Sequence, residues 1–106
     1  MRQWLVNPKL LCKQHLLGEH VEAHMFVGTI LKKINIKGYI DKGLVEVETI
    51  PARHEELVVE MERRGIKHKS PLPVFEIFSA GKVDRINNIE ELKKRCSKCK
   101  ELIEKC

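Results

Sequence analysis

The longest helical pattern in the chain runs from Gln14 to Lys33. Apolar residues recur there at spacings of three and four, which is the period of an α-helix with one buried side. That side carries Leu16, Leu17, Ala23, Val27, Leu31 and Ile34, with His20 and His24 between them. The opposite side carries His15, Gly18, Glu19, Glu22, Phe26, Thr29 and Lys33. The pattern predicts an amphipathic helix of about five turns whose polar face has little bulk at Gly18.

Two further helices follow from capping and periodicity. Thr49-Ile50-Pro51 opens the second helix, and Gly65 ends it in the usual C-terminal position. Its predicted buried stripe is Ile50, His54, Leu57, Val58 and Met61. Asn88 with Glu91 resembles a capping box and opens a third helix that runs to the C-terminus. Residues 44–48, LVEVE, alternate like a short strand, but the chain offers that strand no partner.

The fold class predicted from these elements is mostly α. We expect a single compact domain over residues 1–106, built from three main helices with irregular connections. The first seven residues are largely apolar and Asn7-Pro8 is a helix-entry signal. The N-terminal segment is therefore expected to pack on the core.

Charged residues make up 33% of the chain, and the net charge is +5. A basic excess suits a polyanionic partner such as nucleic acid, although a solvated Lys/Glu-rich surface gives a similar balance. No apolar run reaches about 18 residues and no signal-peptide pattern opens the chain, so we expect neither a membrane span nor secretion. The expected protein is a cytoplasmic, intracellular, nucleoid-associated monomer.

The four cysteines are Cys12, Cys96, Cys99 and Cys106. The last three fall on the apolar stripe of the third predicted helix, which favours thiols packed in the core. A disulfide, with Cys12 as one partner, and half a zinc site from Cys96-x-x-Cys99 stay open as alternatives. The sequence-based prediction is that the protein uses no metal ion and no cofactor.

His20 and His24 lie one helical turn apart with Glu22 between them. The pattern is H-x-E-x-H and not the H-E-x-x-H of metalloproteases, and Glu22 points to the opposite side of the helix. Hydrogen-bonded core histidines are therefore favoured over a metal pair.

The polar face of the first helix is most simply a solvated surface, but its residues also form a family pattern. An Arg directly follows the first residue, then come Gln14-His15-Leu16, Glu22, and Gly28 within FVGTILKK. A second block, RHEELVVEMERRG, covers residues 53–65. In order and spacing, these motifs resemble the pyrimidine-dimer DNA glycosylase family of phage-type repair enzymes. The resemblance covers about half of the chain.

The resemblance implies a DNA glycosylase/AP lyase that acts on double-stranded damaged DNA, at pyrimidine dimers or abasic sites. It makes the α-amine of Met1 the nucleophile and Glu22 the acid/base. The residues that it implies at the DNA are Arg2, Gln14, His15, Gly18, Lys33, Arg53 and Arg64. Because Arg2 is too large for the usual removal of the initiator methionine, Met1 is expected to be retained.

The implied chemistry suits an α-amine, whose ordinary pKa of about 7.7–8.0 leaves a reactive fraction near neutral pH. Two departures from the family leave the lesion open, and with it the choice between glycosylase and AP lyase action alone. Val21 and Met25 stand where phage-type enzymes carry phosphate-binding arginines, and their Tyr-rich C-terminal tail is absent. The alternative function is a non-catalytic basic nucleic-acid-binding module, zinc-stabilised through the C-terminal cysteines.

Overall fold

The computed structural model describes residues 1–67 and 71–105, of which 62% are helical. Among these residues there are five α-helices and no strand, which confirms the mostly α prediction. The helices are α1 (Lys13–Leu31), α2 (Lys37–Asp41), α3 (Ile50–Arg63), α4 (Arg85–Arg95) and α5 (Ser97–Glu104). Two short 3-10 turns, Pro8–Leu10 and Val47–Thr49, complete the secondary structure of this part of the chain.

Helix α1 is the predicted first helix, and it packs against α3. Its buried side differs from the one that the apolar pattern indicated. Glu19 and Phe26, both predicted on the polar face, are buried, whereas Leu31 and Ile34 are about half exposed. Glu19 can be buried because α3 supplies a charged partner for it, which no pattern within α1 reveals.

Helix α3 matches its prediction closely. Pro51 lies in its first turn, where its missing N–H costs nothing, and Gly65 follows its end with a φ of +76°. Residues 44–48 form no strand, in line with the missing partner. A 3-10 turn begins at Val47, which donates its N–H to the carbonyl oxygen of Ala80 at 3.0 Å.

The C-terminal helix prediction is wrong in two respects. Asn88 is not the cap: α4 begins at Arg85, and the Asp84 side chain accepts the N–H of Asn87 at 2.9 Å. The helix also breaks at Cys96, whose extended backbone (φ −139°, ψ 112°) separates α4 from α5. Cys96 then caps α5, because its sulfur accepts the N–H of Cys99 at 3.4 Å.

Two clusters of buried side chains form the core. The first joins the N-terminal segment to α1, α3, α4 and α5, and comprises Trp4, Val6, Leu11, Cys12, Leu16, Leu57, Met61, Leu92 and Cys99. The second lies under the other end of α1, and comprises Ala23, Phe26, Val27, Ile36, Val45, Val47, Ile50 and Phe75. Residues 3–6 are buried and Met1 packs against the second cluster, so the N-terminal segment is part of the core.

None of the helices in the described ranges is long and apolar enough to cross a membrane.

Candidate active site

The N-terminal amine lies opposite Glu22 in the structure. Met1 N is 4.0 Å from Glu22 Oε1, and the two side chains are 12% and 30% exposed. Glu22 projects from the middle of α1, so a rigid helix fixes the carboxylate. The pair is close enough for electrostatic and proton coupling, and solvent can still reach the carboxylate.

Burial raises the pKa of Glu22 above its ordinary value. The positive α-amine, the backbone N–H of Arg2 and the Arg2 charge oppose this effect, whereas the nearby Glu19 adds to it. A carboxylate whose pKa is raised is a stronger proton acceptor than an ordinary glutamate. The environment therefore suits an acid/base role for Glu22.

Backbone and side-chain hydrogen bonds hold the N-terminal segment in place. Gln3 donates its N–H to the Leu44 carbonyl oxygen at 2.7 Å, and its side chain accepts the N–H of Glu46 at 2.7 Å. On the other side, Asn88 Nδ2 donates to the Trp4 carbonyl oxygen at 2.8 Å. These contacts fix the chain two or three residues from the amine, which limits where the amine can go.

Arg2, which precedes these anchored residues, is partly buried. Its guanidinium carbon is 3.9 Å above the Trp4 ring, and its Nη2 donates to Asn88 Oδ1 at 2.6 Å. Its Nε is buried and has no hydrogen-bond partner among the described residues. Burial, together with the neighbouring Arg95, lowers the pKa of Arg2. Arg2, with one unused donor, is therefore the cation that acts on Glu22 beside the α-amine.

Besides His15, three of the residues predicted at the DNA lie on α1 or just beyond its end. Gln14 is exposed in the first turn. A Cβ added at Gly18 would meet no atom within 4 Å, so a helix crossing does not explain this glycine. Lys33 is exposed just beyond the other end of α1, with a φ of 59°.

Arg53 is internal, which corrects its predicted place at the DNA. It is 3% exposed and donates from Nε and Nη2 to the two Glu19 oxygens at 2.6 and 2.9 Å. Its Nη1 donates to the Val6 carbonyl oxygen at 2.7 Å. Arg53 therefore neutralises the buried Glu19 and ties α3 to α1 and the N-terminal segment.

Arg64 is also engaged within the protein. Its Nε donates to Glu60 Oε2 at 2.6 Å, and its Nη2 donates to the carbonyl oxygens of Pro8 and Leu11 at 3.1 and 2.7 Å. Arg63 and Arg64 together lower the pKa of Glu60 to about 2. These bonds hold the first 3-10 turn against α3. The side chain of Arg64 is 20% exposed, and its DNA contact stays a prediction.

His15 faces sulfur atoms and an aromatic ring. Its Nδ1 is 3.2 Å from Cys12 Sγ and 3.5 Å from Cys99 Sγ, and its ring stands edge-on to Trp4. Burial, with Arg95 nearby, lowers the pKa of His15. Cys12, Cys96 and Cys99 form no disulfide, and Cys106 lies outside the described residues.

His20 and His24 lie on the α3 side of α1, as predicted for core histidines. They meet His54 of α3, with ring centroids 4.9–5.1 Å apart. His24 Nε2 and His54 Nε2 are 3.2 Å apart, which is a hydrogen bond.

The site is thus an α-amine and a partly exposed carboxylate of a small helical protein, with Arg2 beside them. The family model described as pyrimidine dimer DNA glycosylase matches residues 1–74 of the chain. The chain belongs to the pyrimidine dimer DNA glycosylase family, a family of DNA repair enzymes. Neither the curated proteins nor the solved structures contain a significant match to it.

Proposed function

We propose that the protein is a DNA glycosylase/AP lyase in which the α-amine of Met1 is the nucleophile and Glu22 is the acid/base. The observation that carries this proposal is the 4.0 Å separation of Met1 N from Glu22 Oε1. The raised pKa of Glu22 and the anchoring of the N-terminal segment support it. The family match supports glycosylase action on pyrimidine dimers in particular.

The proposed reaction starts with attack of the unprotonated Met1 nitrogen on C1′ of the damaged nucleotide. The N–C1′ bond forms as the glycosidic bond breaks, and the base leaves with a proton. Loss of the amine protons and opening of the sugar ring then give a Schiff base. Glu22 stabilises the cationic sugar in this step and shuttles protons.

The strand is cut by β-elimination in the second stage. The Schiff base acidifies the C2′ proton, and the Glu22 carboxylate accepts it. The C3′–O bond breaks, so the 3′ phosphate leaves with the bonding electrons. Hydrolysis of the imine with one water returns the free amine and releases the unsaturated aldehyde of the sugar. Glu22 loses the proton to solvent and is a carboxylate again.

The proposed partner is double-stranded damaged DNA, bound by a monomer on the α1 face that carries Glu22. Arg2 supplies positive charge beside the pair, and its unused Nε is a donor for a phosphate or a nucleotide. Gln14 and Gly18 lie on the same helix, where the absence of a side chain at Gly18 leaves room for an extruded nucleotide. Lys33 contributes positive charge just beyond the C-terminal end of α1.

Borohydride trapping on an abasic-site duplex tests the proposal. The wild-type protein is expected to form a covalent DNA adduct, because borohydride reduces the imine to a stable amine. A glycine added before Met1 moves the amine and is expected to abolish the adduct, whereas a glycine added after Cys106 leaves it unchanged. Equal trapping by both extended proteins would refute the role of Met1.

Isosteric carboxylate variants test Glu22. Glu22→Gln is expected to lower glycosylase activity on pyrimidine-dimer duplexes by at least about 100-fold while leaving duplex affinity within a few-fold. Glu90→Gln, an exposed carboxylate on α4, is the matched control. A lesion panel with abasic, pyrimidine-dimer and oxidised-base duplexes then defines the substrate. If no member of the panel is cut or trapped but damaged duplex is bound, the non-catalytic binding module is the better account.

A further inference from the structure

Four ligating side chains meet at one point next to the active site. The sulfurs of Cys12, Cys96 and Cys99 and a ring nitrogen of His15 all lie within 4.8 Å of one another. They come from two distant parts of the chain, the start of α1 and the start of α5. The fold brings them together because the two helix starts pack on the same core cluster.

The distances fit one tetrahedral metal ion. Zinc–sulfur bonds of about 2.3 Å and zinc–nitrogen bonds of about 2.0–2.1 Å separate two sulfurs by about 3.8 Å and a sulfur from a nitrogen by about 3.6 Å. The Cys12 and Cys96 sulfurs are 3.8 Å apart, and His15 Nδ1 is 3.2 and 3.5 Å from the sulfurs of Cys12 and Cys99. A polynuclear iron–sulfur cluster needs its ligands farther apart, since several metal atoms separate them.

The sequence spacing repeats in the two halves of the cluster. Cys12 caps α1 and His15 follows three residues later, while Cys96 caps α5 and Cys99 follows three residues later. Three cysteines and one histidine are one of the ligand sets of structural zinc sites, and C-x-x-C is a usual spacing in them. The Cys12 N–H donates to Cys99 Sγ at 3.2 Å and the Cys99 N–H donates to Cys96 Sγ at 3.4 Å. Such N–H···S bonds orient thiolate ligands and partly neutralise them.

We propose that Cys12, His15, Cys96 and Cys99 bind one structural zinc ion, which joins the start of the catalytic helix α1 to the C-terminal helix α5. The site has four protein ligands and no open position, so its role is to stabilise the fold. His15 also contacts the Trp4 ring, on which Arg2 lies. By fixing His15, the ion would therefore also fix the Trp4 ring against which Arg2 packs.

Metal analysis of the untagged protein, purified under reducing conditions without added metal, tests this proposal. About one zinc ion per chain is expected. The apoprotein should lose roughly 10 °C or more in Tm and bind Co²⁺ to one equivalent. The Co²⁺ form should show thiolate-to-cobalt charge-transfer absorption and the intense d–d bands of a tetrahedral site, and Zn²⁺ should displace it.

Variants assign the ligands. Cys96→Ser is expected to lose the metal, whereas His15→Cys, which keeps four ligands, is expected to retain zinc with a shifted cobalt spectrum. The matched controls Cys106→Ser and His24→Gln are expected to keep full occupancy. Loss of metal in either control would overturn the ligand assignment. Iron with acid-labile sulfide, or an apoprotein whose Co²⁺ titration gives no charge-transfer band, would overturn the zinc site itself.

Discussion

Replacing Asn88 with alanine should both destabilise the protein and displace its N-terminus. Asn88 is 3% exposed and makes its contacts from inside α4. Its Nδ2 donates to the Trp4 carbonyl oxygen at 2.8 Å, and its Oδ1 accepts from Arg2 Nη2 at 2.6 Å. A serine or another short side chain on α4 could not replace both bonds.

The expected loss in the free energy of unfolding follows from these two hydrogen bonds. The variant leaves the buried Trp4 carbonyl without this donor, which costs about 1–3 kcal/mol, and a charged hydrogen bond to Arg2 is worth about 1.5–3 kcal/mol. Part of the Arg2 bond is recovered through water, and alanine gains up to about 0.7 kcal/mol in helix propensity. We expect a net loss of about 2–4 kcal/mol, which is a large share of the ~5–15 kcal/mol typical of a whole domain.

Asn87→Ala is the matched control for Asn88→Ala, because Asn87 is the adjacent residue, has the same side chain and is exposed. Only the backbone N–H of Asn87 takes part in the cap, so this variant should be neutral or slightly stabilising. Urea unfolding gives both free energies, and single-turnover borohydride trapping of the folded proteins gives the effect on the amine. A difference in stability of less than about 0.5 kcal/mol between the two variants would refute the anchoring role of Asn88.

Three further predictions concern charge. Burial raises the pKa of Glu22, so the charged form of this side chain lowers the stability of the fold as pH rises above 4.5, the ordinary pKa of the group. Glu22→Gln should therefore have a higher Tm than wild type at neutral pH. A higher Tm of the variant that persists below pH 4.5 would contradict this reasoning. The pKa of Glu60 is lowered to about 2, so the stability that its charged form contributes is present above pH 4.5 and is lost as pH falls toward 2. Glu60→Gln should lower the free energy of unfolding by about 1–3 kcal/mol at neutral pH. Acid unfolding scans should show this difference from wild type disappear between pH 4.5 and pH 2. Val21→Arg should steepen the salt dependence of duplex binding by about 0.9 in log–log slope, while the exposed Val59→Arg on α3 should change it less; equal slopes for the two would argue against DNA binding on the α1 face.

Local sequence signals predicted much of the fold. The apolar period of residues 14–33 and the Pro51 and Gly65 signals identified α1 and α3, because both helices follow ordinary capping and burial rules. The break at Cys96 escaped prediction, since the sequence on either side of it keeps a helical period. Asn88 resembled a helix cap because an asparagine three residues before a glutamate fits the capping-box pattern. The structure shows instead that its side chain bonds the Trp4 carbonyl oxygen, a tertiary contact that the local sequence does not reveal.

The site was predictable only where it follows the family pattern. Met1 and Glu22 came from the resemblance, and their proximity in the structure agrees with it. Arg53 was misassigned because its partner, the buried Glu19, lies on another helix 34 residues away, so the sequence does not show that this arginine neutralises a carboxylate. The meeting of Cys12, His15, Cys96 and Cys99 was not predicted, because the two pairs lie 84 residues apart in the sequence and the family pattern assigns His15 to DNA.

The most direct test of the central claim is to locate the adduct after borohydride trapping. The protein is trapped on abasic-site DNA, the complex is digested with protease and nuclease, and the modified peptide is identified by mass spectrometry. The proposal predicts a reduced sugar remnant on the α-nitrogen of Met1. A remnant on a lysine side chain, with the Met1 amine unmodified, would contradict it.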